Sequence, residues 1–197
     1  MVSEAVSWSV LGVAMAFYFT LGALRWALGQ RREALHEFER GVTVVTHVLL
    51  VFLALQAASL LAKASGVPLD VSDPAAVQAA LRSAASTFWD ASRKAVDMIL
   101  YVSAERAVLA ATPLTTPLSG VLGAATGWST AELGIVAIYF MHLSFASDAV
   151  ARVATLLLSI GATLTPVPAL RRAGASLLAA YVSAALSLPY AALITRG

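Results

Sequence analysis

Residues 42–62 read VTVVTHVLLVFLALQAASLLA, and no charged side chain interrupts them before Lys63. About 20 apolar residues at ~1.5 Å each cover the ~30 Å hydrocarbon core of a bilayer. The stretch predicts a transmembrane helix. Just before it, residues 29–41 are bracketed by Gly29 and Gly41 and carry Arg31, Arg32, Glu33, Glu37, Glu39 and Arg40. They read as a linker. Residues 5–28 precede that linker as another span, with 5–24 free of charge and Arg25 and Trp26 following as interfacial anchors. The two spans read as a helical hairpin.

The composition extends this to the whole chain. Of 197 residues, 59% are apolar and 12% charged, and the mean hydropathy is +0.81. Average soluble domains are about 25% charged and keep a large polar exterior. A soluble enzyme, a disordered tail and an ordinary nucleic-acid-binding domain are excluded. The expected fold class is all-α: one polytopic transmembrane helical bundle over residues 1–197, with about five to six spans and one amphipathic surface helix. A net charge of +2 is too small to signal a polyanion partner by itself.

The chain contains neither Cys nor Asn, which excludes disulfides, thiolate metal sites and N-glycosylation. Together with eleven Arg this fits a hot-living source, although a GC-rich genome biases composition similarly. The start Met1-Val2-Ser3-Glu4 lacks a basic signal-peptide region, so the first apolar segment is expected to remain as a span.

Beyond Lys63 the pattern breaks at Gly66, Pro68 and Asp70. Asp73-Pro74 then reads as an N-cap with proline at the first helical position. Val77, Leu81, Ala84, Phe88, Ala95 and Ile99 recur at helical spacing, with Gln78, Arg82, Ser86, Asp90, Arg93 and Asp97 mainly on other faces. Residues 74–94 are therefore expected as an amphipathic helix at the membrane surface. Asp90 with Lys94, and Arg93 with Asp97, support it as i,i+4 pairs.

Residues 107–131 hold Pro113, Pro117, Gly120, Gly123 and Gly127 without a charge, so 96–127 is expected as a broken or re-entrant span packed against protein. Gly123 and Gly127 form a GxxxG spacing for close helix contact. Spans at 130–146, 148–164 and 169–195 follow, with Ser147 as a cap and Thr165-Pro166-Val167-Pro168 as a turn. The arginines of the linker at 29–41 and of the turn at 165–172 place both inside, with the 64–94 segment and both termini outside.

Few residues offer chemistry. His47 and His142 lie in apolar spans, either as axial haem ligands or, more simply, as histidines bonded to a neighbouring helix. Glu105 and Arg106 sit inside an expected span, where charges are costly, and read as pore lining or as a buried ion pair, with Asp148 or Glu132 as partners for Arg106. Glu105 shares a stripe with Asp97 and Tyr101. Asp148 and Arg152 read as an i,i+4 pair. Arg171 and Arg172 read as a docking point for lipid headgroups or for an acidic partner. Gly174 and Ser176 let a neighbouring helix approach. No nucleotide loop, metal cluster or nucleophile–base set is evident, so no cofactor and no catalysis are expected.

Residues 157–181 read LLSIGATLTPVPALRRAGASLLAAY, followed by Leu188-Pro189-Tyr190. A helix ending near Gly, a proline turn, an arginine pair, then Gly and a long apolar helix with a late Pro resembles membrane proteins of archaeal DNA-exchange systems, the CedA type. These look related to the inner-membrane channel component of type IV secretion and conjugation machines. The resemblance implies DNA passage across the cell membrane with other membrane subunits and a partner ATPase. The chain departs from it where Thr163 and Thr165 stand in place of an arginine after Gly161. A second stretch, Tyr139-Phe140-Met141-His142-Leu143, resembles the small subunit IV of bacterial haem-copper oxidases. That family has about three spans, and it implies an accessory respiratory subunit with no haem ligand at His142.

Overall fold

The computed structural model describes residues 16–167 and 169–196. Among them the chain is helices and turns, without a strand. Helix α1 covers residues 16–27, and α2 (Arg31–Ala64), α3 (Pro74–Ala110), α4 (Thr116–Leu164) and α5 (Arg171–Arg196) follow. Helices α2, α4 and α5 are long and apolar enough to cross a membrane. The protein is an all-α membrane protein. The start of the 5–28 span and Pro168 lie outside the described residues.

The helix ends follow from local chemistry. Gly29 and Gly66 both adopt φ +81°, the left-handed conformation that only glycine takes without cost. Each closes a helix with paired bonds: Gln30 N to Arg25 O with Gly29 N to Trp26 O, and Val67 N to Ala62 O with Gly66 N to Lys63 O. Helix α3 starts where the sequence places it, with Asp73 Oδ1 accepting from Ala75 N at 2.9 Å.

Two expectations are corrected, and the break expected in 96–127 is located. The linker at 29–41 shrinks to a three-residue break, 28–30, and its charges form the first turns of α2. The break in 96–127 is the turn 111–115 containing Pro113, with no re-entrant stretch after it. Pro117 falls in the first turn of α4, where no helical partner for its missing N–H is required. Gly120, Gly123 and Gly127 cost helix propensity but do not stop the helix. The segments 130–146 and 148–164 belong to one 49-residue helix, about 70 Å of α-helix. Ser147 caps nothing, because its hydroxyl bonds back to Leu143 O within that helix.

The chain forms two compact units: residues up to 80 with 150–187, and 81–149 with 188–197. In unit one, Phe19 and Phe38 fill the space over Gly41 and Gly22 and join α1 to α2. The loop 65–73 folds back onto α2 and α5: Ser59 Oγ accepts from Val71 N at 2.9 Å, and Tyr181 Oη donates to Val71 O at 2.9 Å. Gln78 Nε2 donates to Thr155 Oγ1 at 2.9 Å and ties α3 to the end of α4.

These contacts also show which helix ends lie together in unit one. Arg171 lies only about 15 Å along α5 from Tyr181, whereas Arg31 lies about 42 Å along α2 from Ser59. Asp73 and Arg171 therefore share one end of unit one and Arg31 marks the other.

In unit two the expected stripe is real, but it packs on protein. Phe88 is fully buried with Ala84 and Ala192, and Phe140, Leu143, Leu188 and Ala191 pack around them. Phe88 stacks on Phe140 at 6.1 Å.

Candidate functional site

Glu105 and Arg106 point to different faces of α3, as adjacent helical residues must. Glu105 interacts with Tyr101 one turn earlier, on the stripe read from the sequence. The Arg106 guanidinium lies against Gly123 of α4, where an added Cβ would sit 2.5 Å from Nη2. Arg106 and Gly123, read separately in the sequence, thus come together. Gly127 faces open space, so among the described residues the GxxxG pair does not form a helix–helix contact. Glu132, offered as a partner for Arg106, accepts instead from Trp128 Nε1 at 2.7 Å.

On α4, Asp148 is half-buried and Arg152 exposed. His47 and His142 share one geometry: Nδ1 lies 2.7 Å from Thr43 O and 2.8 Å from Ile138 O, each one turn back. A carbonyl only accepts, so Nδ1 carries the proton and Nε2 keeps a lone pair. Among the described residues, each histidine bonds within its own helix. Among the described residues no group of three or more His, Asp or Glu gathers at metal-binding range.

Arg171 opens α5 half-buried, its Nε buried without a hydrogen-bond partner among the described residues, while Arg172 is exposed. Gly174 does admit a close neighbour. A Cβ there would lie 2.5 Å from Thr165 N and 2.9 Å from Gly161 O. Gly161 is equally tight, against Leu178 and Gly174 O. Thr165, which stands where the resembled family has an arginine nearby, bonds to Gly161 O at 2.7 Å and closes α4.

The sequence reading missed three polar constructions. First, Arg25 reaches across the α1–α2 turn to Glu33 and Glu37, each at 3.2 Å, and Glu37 also meets Arg40 at 3.4 Å. The Glu37 side chain is 4% exposed, so this is a clamp on a buried carboxylate. The spacing of Glu33 and Glu37 was the available signal, concealed by reading them as linker. Arg31 lies 5.6 Å over the Trp26 ring beside it. Second, Asp70 Oδ1 gathers Ser72 Oγ at 2.6 Å, Ser72 N at 2.9 Å and Ser59 Oγ at 3.2 Å. The Ser72 hydroxyl, with the other donors and nearby Lys63, holds the carboxyl below its ordinary range. Third, Ser92 Oγ donates to Ala137 O and Ser144 Oγ to Ala85 O, both at 2.8 Å. At the end of α5, Arg196 donates to Thr87 and Ser83 of α3 at 2.6–3.1 Å.

What these groups do chemically is hold helices and shape a surface. They do not assemble an acid–base pair around a reacting atom. Large apolar side chains on α2 and α4, among them Leu49, Phe52, Ile135 and Trp128, stay exposed, as lipid contacts or partner contacts require. No family model, curated protein or solved structure matches the chain.

Proposed function

We propose that the protein is a channel or scaffold subunit of a DNA-translocating, type IV secretion-like apparatus of the archaeal DNA-import kind, in the cell membrane. One observation carries the reading. Helix α3 bears Arg82, Asp90, Arg93, Lys94, Asp97, Glu105 and Arg106, yet it packs along the apolar helix α4. Charged side chains at membrane depth serve transport pathways far more often than they serve stability. The resemblance at 157–181 adds the cargo. Other membrane subunits and an ATPase supply the remaining wall and the energy.

In this reading α1 to α5 each cross once. The end with Arg25, Arg31, Arg32 and Arg40 faces the cytoplasm by its positive charge. The turns at 65–73 and 165–170 then face outward. Arg171 and Arg172 meet outer headgroups, and docking of a cytoplasmic ATPase passes to the α1–α2 end. The test is affinity purification from the native membrane and a DNA-uptake assay on a deletion strain. Co-purification of a hexameric ATPase and loss of uptake are expected. Normal uptake in the deletion strain would refute the reading.

A second reading, an accessory or haem-bearing respiratory subunit, draws on His47 and His142. In both, the proton on Nδ1 leaves Nε2 in the form a metal needs. An optical spectrum of the purified protein separates the two, since haem gives an intense Soret band.

A further inference from the structure

Two side chains fix the register of α3 on α4 in unit two. Ser92 donates to the carbonyl of Ala137, and Ser144 donates to that of Ala85. Residues 85–92 therefore lie antiparallel beside 137–144. That part of α4 sits within 133–147, which contains no charged residue.

The two outer surfaces of this pair differ completely. At ~100° per residue, the buried residues of α3 (Leu81, Ala84, Ala85, Phe88, Ser92, Ala95) occupy one arc. Arg82, Asp90, Arg93, Lys94 and Asp97 fall within about 120° on the opposite side, and all are exposed. On α4, Ala137 and Ser144 face α3, while Ile135, Ile138, Tyr139 and His142 are exposed away from it, and Phe145 flanks the seam against Trp89. The pair is a wall two helices thick, charged on one surface and uncharged and mostly apolar on the other. Both surfaces lie at the same depth.

Hydrocarbon accommodates the apolar surface and not the charged one. The charge balance of that surface is uneven. Arg196 reaches the edge of the charged arc through Thr87 and Ser83, and Glu105 continues the Asp97 stripe at that same edge, so four cations stand against three carboxylates. Clefts lined by an excess of one sign concentrate solutes of the other.

We propose that the charged face of α3 lines a water-filled passage across the membrane that favours anions, with the outer face of α4 against lipid. This rests on the transport reading above and adds to it the lining helix and the sign of the solute. The other subunits complete the wall.

The test uses the full-length chain in membrane vesicles, and its lack of Cys allows single nitroxide labels. Labels at Ser86→Cys and Asp97→Cys on α3, and at Ile135→Cys and Ile138→Cys on α4, report collision with a water-soluble nickel chelate or with lipid-dissolved oxygen. Nickel access on α3 together with oxygen access on α4 is expected. Oxygen access on α3, access to neither reagent there, or nickel access on α4 would each overturn the passage. For the sign, Ser86→Cys is expected to react several-fold faster with an anionic thiosulfonate than with a cationic one. Equal or reversed rates would overturn the anion preference. A water-exposed α3 face in a protein whose deletion leaves DNA uptake intact would refute the cargo while leaving the passage standing.

Discussion

Gly174 and Thr165 touch so closely that a Cβ on the glycine would stand 2.5 Å from the Thr165 backbone nitrogen. Backbone cannot swing aside as a side-chain tip can. Gly174→Ala should therefore destabilise the α4–α5 turn by about 1–3 kcal/mol, the usual cost of overpacking. Gly127→Ala, facing open space, should gain up to about 1 kcal/mol from helix propensity. Equilibrium unfolding in detergent measures both. Equal effects at the two positions would refute the close crossing.

Arg25→Ala should cost far more than Glu33→Ala. Without Arg25, Glu37 stays buried with only the more exposed Arg40 beside it. Removing one partner of a buried ion pair costs about 3–5 kcal/mol, whereas an exposed pair contributes less than about 1 kcal/mol. Glu33, 59% exposed, belongs to the second class. A thermal melt in which Glu33→Ala is the worse variant would contradict the clamp.

The Asp70 loop should loosen in acid. Its carboxyl titrates lower folded than unfolded, so its contribution is complete above the unfolded value and is lost as pH falls through the folded one. Protection of Val71 N from hydrogen exchange, taken relative to the intrinsic rate at each pH, should be flat near neutrality and fall below about pH 4. Asp70→Asn should remove that acid limb and leave faster exchange throughout. An acid limb surviving in Asp70→Asn would assign it to another group.

Arg32→Cys and Arg172→Cys should label from opposite sides of the membrane. The tie from Tyr181 to Val71 places the α5 start with the 65–73 loop, away from the α2 start. An impermeant maleimide on intact cells distinguishes them. Labelling of both from one side would restore the arrangement that the two arginine turns alone suggest.

Ser92→Ala and Ser144→Ala should each lower the stability of the α3–α4 pair by about 0.6 kcal/mol, with ~1.7 kcal/mol an upper bound for such bonds in membranes. Ser92→Leu should cost more, because Ser92 is buried and the helices would have to part. Additive losses in the double alanine variant are expected, since the two bonds share no atom.

Much of the helix content was legible, and each success rested on a local rule. Asp73-Pro74 marked a helix start because capping acts over three residues. The spacing of Val77, Leu81, Ala84 and Phe88 marked a buried face. Gly174 marked a close approach. The failures share a different cause. Glu33 and Glu37 looked like linker because charge was taken to end a span, when the helix simply continues past the bilayer edge. Ser147 looked like a cap because its chemistry suits one, but inside a helix the same hydroxyl bonds one turn back. The Ser92 and Ser144 bonds end on backbone carbonyls, which every residue carries, so no sequence pattern announces them.

That last point has a genetic consequence. The acceptors at positions 85 and 137 belong to the peptide chain itself, so no substitution there can delete them. Mutation can sever these ties only by replacing a serine or by adding bulk at a neighbouring alanine. Few codons thus hold the register of two long helices, and drift over most of their length leaves it untouched. A lineage can recolour both outer surfaces of the pair, towards a different lipid or a different cargo, while the seam between them stays as it is.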